Sequence, residues 1–162
     1  MNTTHQLTAA GPTILSVLQT AALMRFRRFM LDSQIVIFDG VCNFCNGAVN
    51  FIIKRDSKAA FKFAPMQSET AQELLLQHAV HTVGDDSFIL IKNGRCFVRT
   101  NAALEITKDL DGFWFIFRAF KIVPAVVRDY FYRVLARNRY KLFGKRDTCM
   151  IPNTEVLDRF LT

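Results

Sequence analysis

Two cysteines three residues apart, Cys42 and Cys45, follow a short apolar run that ends at Asp39. The run, residues 35–38, is β-branched or aromatic and predicts a buried strand, and the residues after Cys42 predict a helix. At a helix start, unpaired N–H groups and the positive end of the helix dipole favour a thiolate. Positions i and i+3 share a helix face, so Cys45 can form a disulfide with Cys42. The spacing predicts thiol-disulfide exchange, with Cys42 as nucleophile and Cys45 as resolving thiol.

Two other interpretations of the cysteine pair remain open. Free cysteines are often buried as small apolar side chains, without any reactivity. A zinc site is the chemical rival, and it needs four ligands. His78 falls on a predicted helix and His81 lies beyond it, and nothing in the pattern brings either to Cys42. We therefore expect no metal ion and no dissociable cofactor.

Asp39 stands just before a glycine and close to both cysteines. As a general base it could accept the proton of the resolving thiol during exchange. As a turn residue it would accept backbone N–H groups, which is the commonest role of Asp before Gly. The sequence favours neither role over the other.

Composition indicates a folded protein in a reducing compartment. The chain has 162 residues, 51% of them apolar, which suits one domain with a substantial core. Four cysteines are too few and too unevenly spaced for a disulfide-stapled secreted scaffold, so we expect a cytoplasmic protein. Cys96 is expected to be a packing residue. Cys149 has basic neighbours that could lower its pKa, and its role stays open.

The basic charge is concentrated near the end of the chain. Residues 113–146 carry nine Lys or Arg and one acid, within a formal net charge of +7 for the whole chain. Several aromatic residues there have the spacing of core-facing helices: Phe113, Phe117, Phe120, Phe131 and Tyr132. We expect a basic helical extension whose apolar face packs on the preceding domain, with peripheral contact to a membrane as the second interpretation. No base-reading module is present, so nucleic acid is not expected as a partner.

The first 33 residues form an N-terminal extension. Its apolar stretch, residues 14–24, precedes its arginines, the reverse of a secretory signal, and is too short to span a bilayer. The shortage of acidic residues is typical of an organellar transit peptide. We favour an amphipathic helix or a poorly ordered extension over targeting.

Between these two ends, the patterns predict a redox domain over residues 34–112 and an extension over residues 113–162. Asn93-Gly94 between two apolar runs predicts a hairpin with a type I′ turn. Right-handed connections make the first two strands parallel. The resulting order, β-α-β-α-β-β-α, is that of an α/β thioredoxin-like fold, and it is followed by a helical extension that breaks at Pro124. The predicted elements are strands at 35–38, 61–64, 88–91 and 96–98 and helices at 43–54, 70–78 (with a capping box at Thr70) and 102–110 (capped by Asn101).

The segment from Asp39 to Cys45 resembles the Asp-x-x-Cys-x-x-Cys signature of the DCC family of predicted thiol-disulfide oxidoreductases. Residues 61–68 and 86–88 resemble further family segments, and the resemblance extends over residues 34–152. A C-terminal block also resembles the family. Its matching residues are Pro124, Arg128, Asp129, Tyr132, residues 136–140, Phe143, Gly144 and Cys149. The resemblance implies a redox-active CxxC in a thioredoxin-like domain.

Two positions depart from related patterns. Thioredoxins have a cis-proline before the third strand, where this chain has Asp86. An acid near the thiols raises a thiolate's pKa, which favours a reductase-like protein over a strong oxidant. Asn101 stands where the family resemblance leads us to expect an acid.

The sequence therefore predicts a thiol-disulfide oxidoreductase whose CxxC pair, Cys42 and Cys45 with Asp39 nearby, exchanges with protein or small-molecule disulfides. An external dithiol would supply the electrons. The alternative is a non-enzymatic binding module, in which a redox-like scaffold carries a basic tail that docks on a membrane or a protein.

Overall fold

A computed structural model describes residues 34–80, 88–147 and 154–161. The predicted N-terminal extension lies outside the described residues, as do His81, Asp86 and Cys149. Within the described part, no helix is long and apolar enough to cross a membrane.

A four-stranded mixed sheet forms the centre of the fold. Its strands are β1 (Gln34–Phe38), β2 (Phe61–Pro65), β3 (Phe88–Lys92) and β4 (Arg95–Val98), in the spatial order β2-β1-β3-β4. Strand β1 runs parallel to β2 and antiparallel to β3, and β3 pairs with β4 as an antiparallel hairpin. The predicted mixed α/β fold, with the order β-α-β-α-β-β-α, is confirmed.

In the part of the chain that the structure describes, four α-helices lie around the sheet: α1 (Asn43–Ile53), α2 (Glu69–Gln77), α3 (Arg99–Ile106) and α4 (Ala125–Phe143). Two 3-10 segments, Phe113–Ile122 and Thr154–Arg159, lie on either side of α4 in the chain. Helix α4 packs against α1 and α3, so the C-terminal part of the chain lies beside the helix that follows the cysteine turn.

Strand β1 is buried on both faces, which explains its uninterrupted apolar run. Val36 and Phe38 pack in one core cluster together with residues of α1 and α3, including Cys42 and Cys45. Ile35 and Ile37 point the other way, into a second cluster that contains residues of α2. The cysteine pair therefore belongs to one face of the sheet.

The C-terminal 3-10 segment covers β2, an edge strand of the described sheet. Arg159 forms a buried ion pair with Asp56, and the Leu161 N–H donates to the Phe63 carbonyl over 2.8 Å. The ring of Phe160 packs 5.4 Å from that of Phe63. These contacts satisfy part of a strand edge that would otherwise be open to other chains.

The hairpin turn has the predicted geometry. Asn93 and Gly94 both have positive φ angles, 51° and 69°, as a type I′ turn requires.

The predicted helix caps at Thr70 and Asn101 are wrong. Helix α2 begins at Glu69, and the Ser68 hydroxyl accepts the Ala71 N–H over 3.2 Å. Helix α3 begins at Arg99, so Asn101 lies inside it and accepts a bond from Arg128 instead. Near each of these helix starts, more than one residue has a side-chain oxygen that could cap the helix. The sequence pattern alone does not show which of them does so.

Most aromatic residues of the extension are not core residues, which corrects the interpretation of their spacing. The side chains of Phe113, Phe120 and Phe131 are 78%, 54% and 67% exposed. Phe113 and Phe120 lie in a 3-10 segment with about three residues per turn, so residues at α-helical spacing do not share a face there. Helix α4 begins after Pro124, and the predicted break is confirmed. The domain division at residues 112 and 113 stays a prediction.

Candidate active site

The two cysteines occupy the first turn of α1. Cys42 is the N-cap residue, in an extended conformation, and its Sγ accepts the Cys45 N–H over 3.4 Å. Both residues are free thiols, and their side chains are buried, with exposed fractions of 0% and 1%. The strand-turn-helix context predicted from the sequence thus positions both sulfur atoms at one helix N-terminus, beneath the protein surface.

Residues 143–146, here called the strap, lie against the Cys42 side of this turn. The Arg146 N–H donates to the Val41 carbonyl over 2.8 Å, and Cys42 and Lys145 pair as an isolated β-bridge. Asn43 adds a side-chain bond to the Phe143 carbonyl, with Nδ2 and O 2.9 Å apart. Backbone hydrogen bonds from the end of α4 therefore cover Cys42.

Cys45 faces a cavity on its other side. The cavity has a volume of about 260 Å³ and lies between α1, α3, α4 and the start of β3. Its lining residues are mostly apolar: Phe44, Cys45, Ala48, Phe88, Ala103, Tyr132, Leu135, Ala136 and Arg139. Cys45 lines this inner cavity and Cys42 does not.

Asp39 is buried and accepts four hydrogen bonds. Its Oδ1 accepts the Val41 N–H over 3.2 Å and the Gln67 amide over 2.9 Å. Its Oδ2 accepts the Arg139 guanidinium over 3.2 Å and the Tyr140 hydroxyl. The hydrogen bond from the Val41 N–H is the contact expected if Asp39 is a turn residue. The other three donors join Asp39 to distant parts of the chain.

These contacts set the ionisation of Asp39. Burial would by itself raise the pKa of the carboxyl, but hydrogen bonds from Tyr140, Gln67, Arg139 and Val41 hold that pKa below its ordinary value. Asp39 is therefore a carboxylate at neutral pH. A carboxylate held in this way is a weak proton acceptor.

The pKa of the Cys45 thiol is shifted in the opposite direction, above its ordinary value. Burial, the hydrogen bond to Cys42 and electrostatic interactions with Cys42 and Asp39 raise the pKa of Cys45 to about 12. Arg139 opposes this shift. At neutral pH Cys45 is a protonated thiol, as a resolving cysteine is before it reacts.

The sequence pattern indicates Asp39 as a site residue but does not indicate its partners Gln67, Arg139 and Tyr140. Arg139 and Tyr140 lie 100 and 101 residues from Asp39 in the chain, so no local pattern joins them. The one available signal was the family resemblance, because these residues fall within its segments 61–68 and 136–140.

The remaining candidate residues lie elsewhere. Cys96 is on β4 and packs in the core cluster on the opposite face of the sheet, where burial raises the pKa of its thiol. Cys149, His81 and Asp86 are outside the described residues. Among residues 34–80, 88–147 and 154–161, no group of three or more His, Cys, Asp or Glu side chains is arranged to hold a metal ion.

Comparison with known proteins gives matches over most of the chain. A family model described as DCC1-like thiol-disulfide oxidoreductase matches residues 36–145. The chain is 44% identical over 131 residues to the uncharacterized protein YuxK of Bacillus subtilis (strain 168), which covers 81% of this chain and 96% of that protein. It is 37% identical over 116 residues to the DCC family protein At1g52590, chloroplastic, of Arabidopsis thaliana, covering 71% of this chain and 67% of that protein. No solved structure matches the chain.

Proposed function

The chain belongs to the DCC1-like thiol-disulfide oxidoreductase family, and from that premise we propose that Cys42 and Cys45 exchange between dithiol and disulfide with protein or small-molecule disulfides. The observation that carries the proposal is the position of both cysteines in the first turn of α1, with the Cys42 Sγ at the N-cap. Two cysteines at this spacing at the N-terminus of a helix close a small disulfide ring when they are oxidised.

In the proposed reaction, the Cys42 thiolate attacks one sulfur of the substrate disulfide. A mixed disulfide forms and the first substrate thiolate leaves. Cys45 then attacks the Cys42 sulfur, releases the second substrate thiolate and leaves a Cys42–Cys45 disulfide. An external dithiol reduces that disulfide by the same two steps in reverse order. Because the strap covers Cys42, attack on a protein substrate requires residues 143–146 to move.

We propose that Asp39 acts in this reaction through its charge. Its lowered pKa and its four donors make proton abstraction from Cys45 unfavourable, whereas its negative charge helps to keep Cys45 protonated until it attacks. An Asp39→Asn variant keeps an acceptor for the Val41 N–H but loses the charge. We expect this change to lower the pKa of Cys45, measured by the pH dependence of its alkylation. Loss of exchange with an unchanged Cys45 pKa would instead indicate a general base.

Trapping tests the central proposal. A Cys45→Ser variant cannot resolve the mixed disulfide, so we expect it to accumulate disulfide-linked substrates at Cys42. Cys96→Ser is the matched control, because Cys96 lies on the other face of the sheet, and it should accumulate none. A folded Cys45→Ser protein that forms no adduct with protein or small disulfides would contradict the proposal.

A second function, docking on a membrane, is favoured by one observation. Exposed apolar side chains lie along the 3-10 segment Phe113–Ile122 and on the solvent-facing side of α4. They fall within residues 113–146, which carry nine basic residues and one acid. Exposed aromatic rings beside Lys and Arg suit the interface of an anionic bilayer. We propose that this aromatic-basic face binds anionic lipid, which would serve either an enzyme or a non-enzymatic binding module.

Vesicle sedimentation tests the docking function. We expect the protein to pellet with vesicles containing phosphatidylglycerol, less so at high salt, and not with phosphatidylcholine alone. The double variant Phe113→Ser with Phe131→Ser should bind more weakly. Leu76→Ser is the matched control, because Leu76 is 77% exposed on α2, outside the aromatic-basic face. Equal binding by all three proteins would contradict the assignment of this face.

A further inference from the structure

The exposed face of α1 carries no charge. The helix contains no charged residue, and its exposed positions are Asn43, Phe44, Gly47 and Asn50. A surface helix normally has charged and polar side chains on the side that faces water. Depletion of charge together with an exposed aromatic ring is instead typical of the core of a protein–protein interface. The outer face of α1 is therefore suited to contact with another polypeptide.

A shallow apolar depression lies on this face and extends from α1 to the strap. It has a volume of about 490 Å³, and none of the described residues that line it is charged: Asn43, Phe44, Gly47, Ala48, Phe51 and Phe143. The rings of Phe44 and Phe143 lie 4.8 Å apart, and the two residues are 39% and 44% exposed. Because Asn43 follows Cys42 in the chain and Phe143 belongs to the strap, the depression is continuous with the cover of Cys42.

Neither packing nor backbone conformation within the chain explains why residue 47 is a glycine. Gly47 lies inside α1, and a Cβ added there meets no other described part of the chain within 4 Å. Glycine in the interior of a helix is destabilising relative to alanine. The absence of a side chain instead leaves room for a group from outside to approach the α1 backbone. This position points to a ligand that lies over the helix.

The distance from Gly47 to Cys42 sets where such a ligand carries its apolar group. The two residues are five positions apart, which corresponds to about 7.5 Å along a helix axis. An extended chain covers that distance in about two to three residues. Cys42 reacts only when the strap moves, and Phe44 then loses its contact with Phe143. An apolar side chain of the substrate can take the place of that ring.

We propose that the depression binds an extended segment of a protein substrate, with an apolar side chain about two to three residues from the disulfide-bonded cysteine of that substrate. This inference rests on the proposed function and names its substrate class. The Cys42 thiolate attacks the sulfur of the docked cysteine, the substrate S–S bond breaks, and the other substrate sulfur leaves as a thiolate. Cys45 then attacks the Cys42 sulfur, and the docked segment leaves with the Cys45 proton. The external dithiol reduces the Cys42–Cys45 disulfide.

A pair of peptide disulfides tests the substrate class. Both peptides are uncharged, have the same composition and a single cysteine, and are oxidised to symmetric disulfides. The first has leucine two residues from the cysteine and serine five residues away, and the second has these two residues exchanged. We expect the reduced full-length protein to react with the first at a second-order rate constant at least about tenfold larger, because only its leucine reaches the depression. Equal rate constants would overturn the proposal.

Gly47→Gln fills the depression with a side chain that the fold accommodates. The new side chain enters open space and glutamine favours a helix, so urea denaturation should show no loss of stability. Bis(2-hydroxyethyl) disulfide is a small polar substrate that does not need the depression. We expect the ratio of the rate constants for the first peptide and for this small disulfide to fall at least about tenfold. An unchanged ratio in the folded variant would contradict the proposal.

Ala125→Gln is the matched control. Ala125 is an exposed residue on the first turn of α4, 18 positions before Phe143, which corresponds to about 27 Å along the helix. The same side chain is introduced far from the depression, so the ratio of the two rate constants should stay as in the wild type. An equal fall of the ratio in both variants would overturn the assignment to this face of α1.

Binding is measured separately from exchange in a Cys42→Ser, Cys45→Ser variant. The probe is the first peptide with serine in place of cysteine and a fluorescent label, and its anisotropy reports docking. We expect saturable binding that weakens at least about tenfold when the leucine of the peptide is replaced by serine or when Gly47→Gln is added. Exchange with both peptides at equal rates overturns the docking proposal and leaves the proposed function intact. Binding without exchange of any disulfide overturns the proposed function, while the docking surface stands.

Two other occupants of the depression would give different results. If this face joins two copies of the chain, the wild type sediments as a dimer and Gly47→Gln as a monomer. If it binds lipid, Gly47→Gln pellets less with anionic vesicles than Ala125→Gln does. Either result in place of the peptide preference would overturn the proposal.

Discussion

The two sides of the cysteine turn are covered in different ways. On the Cys42 side, the strap contributes backbone hydrogen bonds, such as Arg146 N–H to Val41 carbonyl at 2.8 Å. On the Cys45 side, apolar side chains surround a cavity of about 260 Å³. Both thiols are equally inaccessible to water, yet a hydrogen-bonded segment opens by local unfolding, whereas a cavity admits a ligand with little backbone movement. Equal burial therefore does not mean equal access.

Arg139 lines the cavity on the Cys45 side and forms a buried ion pair with Asp39, so its removal should have the largest effect. Arg139→Met leaves the Asp39 carboxylate buried without its cation, and we expect the free energy of unfolding to fall by about 3–5 kcal/mol. Urea denaturation measures this change. Lys141→Met, at an exposed residue of the same helix, should alter the free energy by less than about 0.5 kcal/mol. Similar losses in both variants would show that Asp39 does not depend on the ion pair.

Gly144 allows a test of the strap alone. Its φ angle is 80°, and an added Cβ would lie 3.1 Å from the Asn43 Nδ2. Gly144→Ala should therefore be destabilising by about 2 kcal/mol and should increase the alkylation rate of Cys42 at least about tenfold, while Cys45 changes less.

The control for this variant is Gly47→Ala, because an added Cβ there meets no atom within 4 Å and alanine favours the helix. Mass spectrometry after timed alkylation distinguishes Cys42 from Cys45. Faster modification of both cysteines to the same extent would mean that the strap does not cover Cys42 selectively.

The stability of the folded protein should fall at alkaline pH because of Cys45. The pKa of Cys45 is raised from 9.0 to about 12, so the folded state retains its proton where the unfolded chain loses it. This contribution to stability is complete below about pH 9 and is lost as pH rises towards 12. We expect a loss of about 1.4 kcal/mol from this group between pH 8 and 10.

Thermal or urea unfolding as a function of pH measures this loss. Cys45→Ser removes the ionisable group, so its stability should depend less on pH in that range. An identical pH dependence in the two proteins would contradict the assignment of the raised pKa to Cys45.

Removal of the Asn43 side chain should have the smallest effect on stability and on the alkylation of Cys42. Its Nδ2 donates to the Phe143 carbonyl over 2.9 Å at an exposed position. Asn43→Ala should be destabilising by about 1 kcal/mol and should increase Cys42 alkylation only a few-fold. Asn50→Ala, on the same helix, is the comparison variant. A larger effect on Cys42 from Asn50 than from Asn43 would contradict the role of this contact in holding the strap.

Local patterns predicted much of the fold. The apolar run of β1, the Asn93-Gly94 turn and the break at Pro124 each depend on residues adjacent in the chain, and all three predictions were correct. The caps at Thr70 and Asn101 were wrong because neighbouring polar residues compete for the same role. The aromatic residues of 113–122 were misinterpreted because a 3-10 segment does not keep the α-helical period.

The sequence by itself determined the strand, turn and helix that bring Cys42 and Cys45 to one helix end, because those elements follow from periodicity and turn chemistry over about ten residues. Only the tertiary structure decided what surrounds the two thiols. Asp39 is joined to Arg139 across 100 residues, and α4 supplies the strap on one side and a cavity wall on the other. Such contacts depend on how one helix packs against two others, and packing is set by the whole chain at once rather than by any short pattern within it.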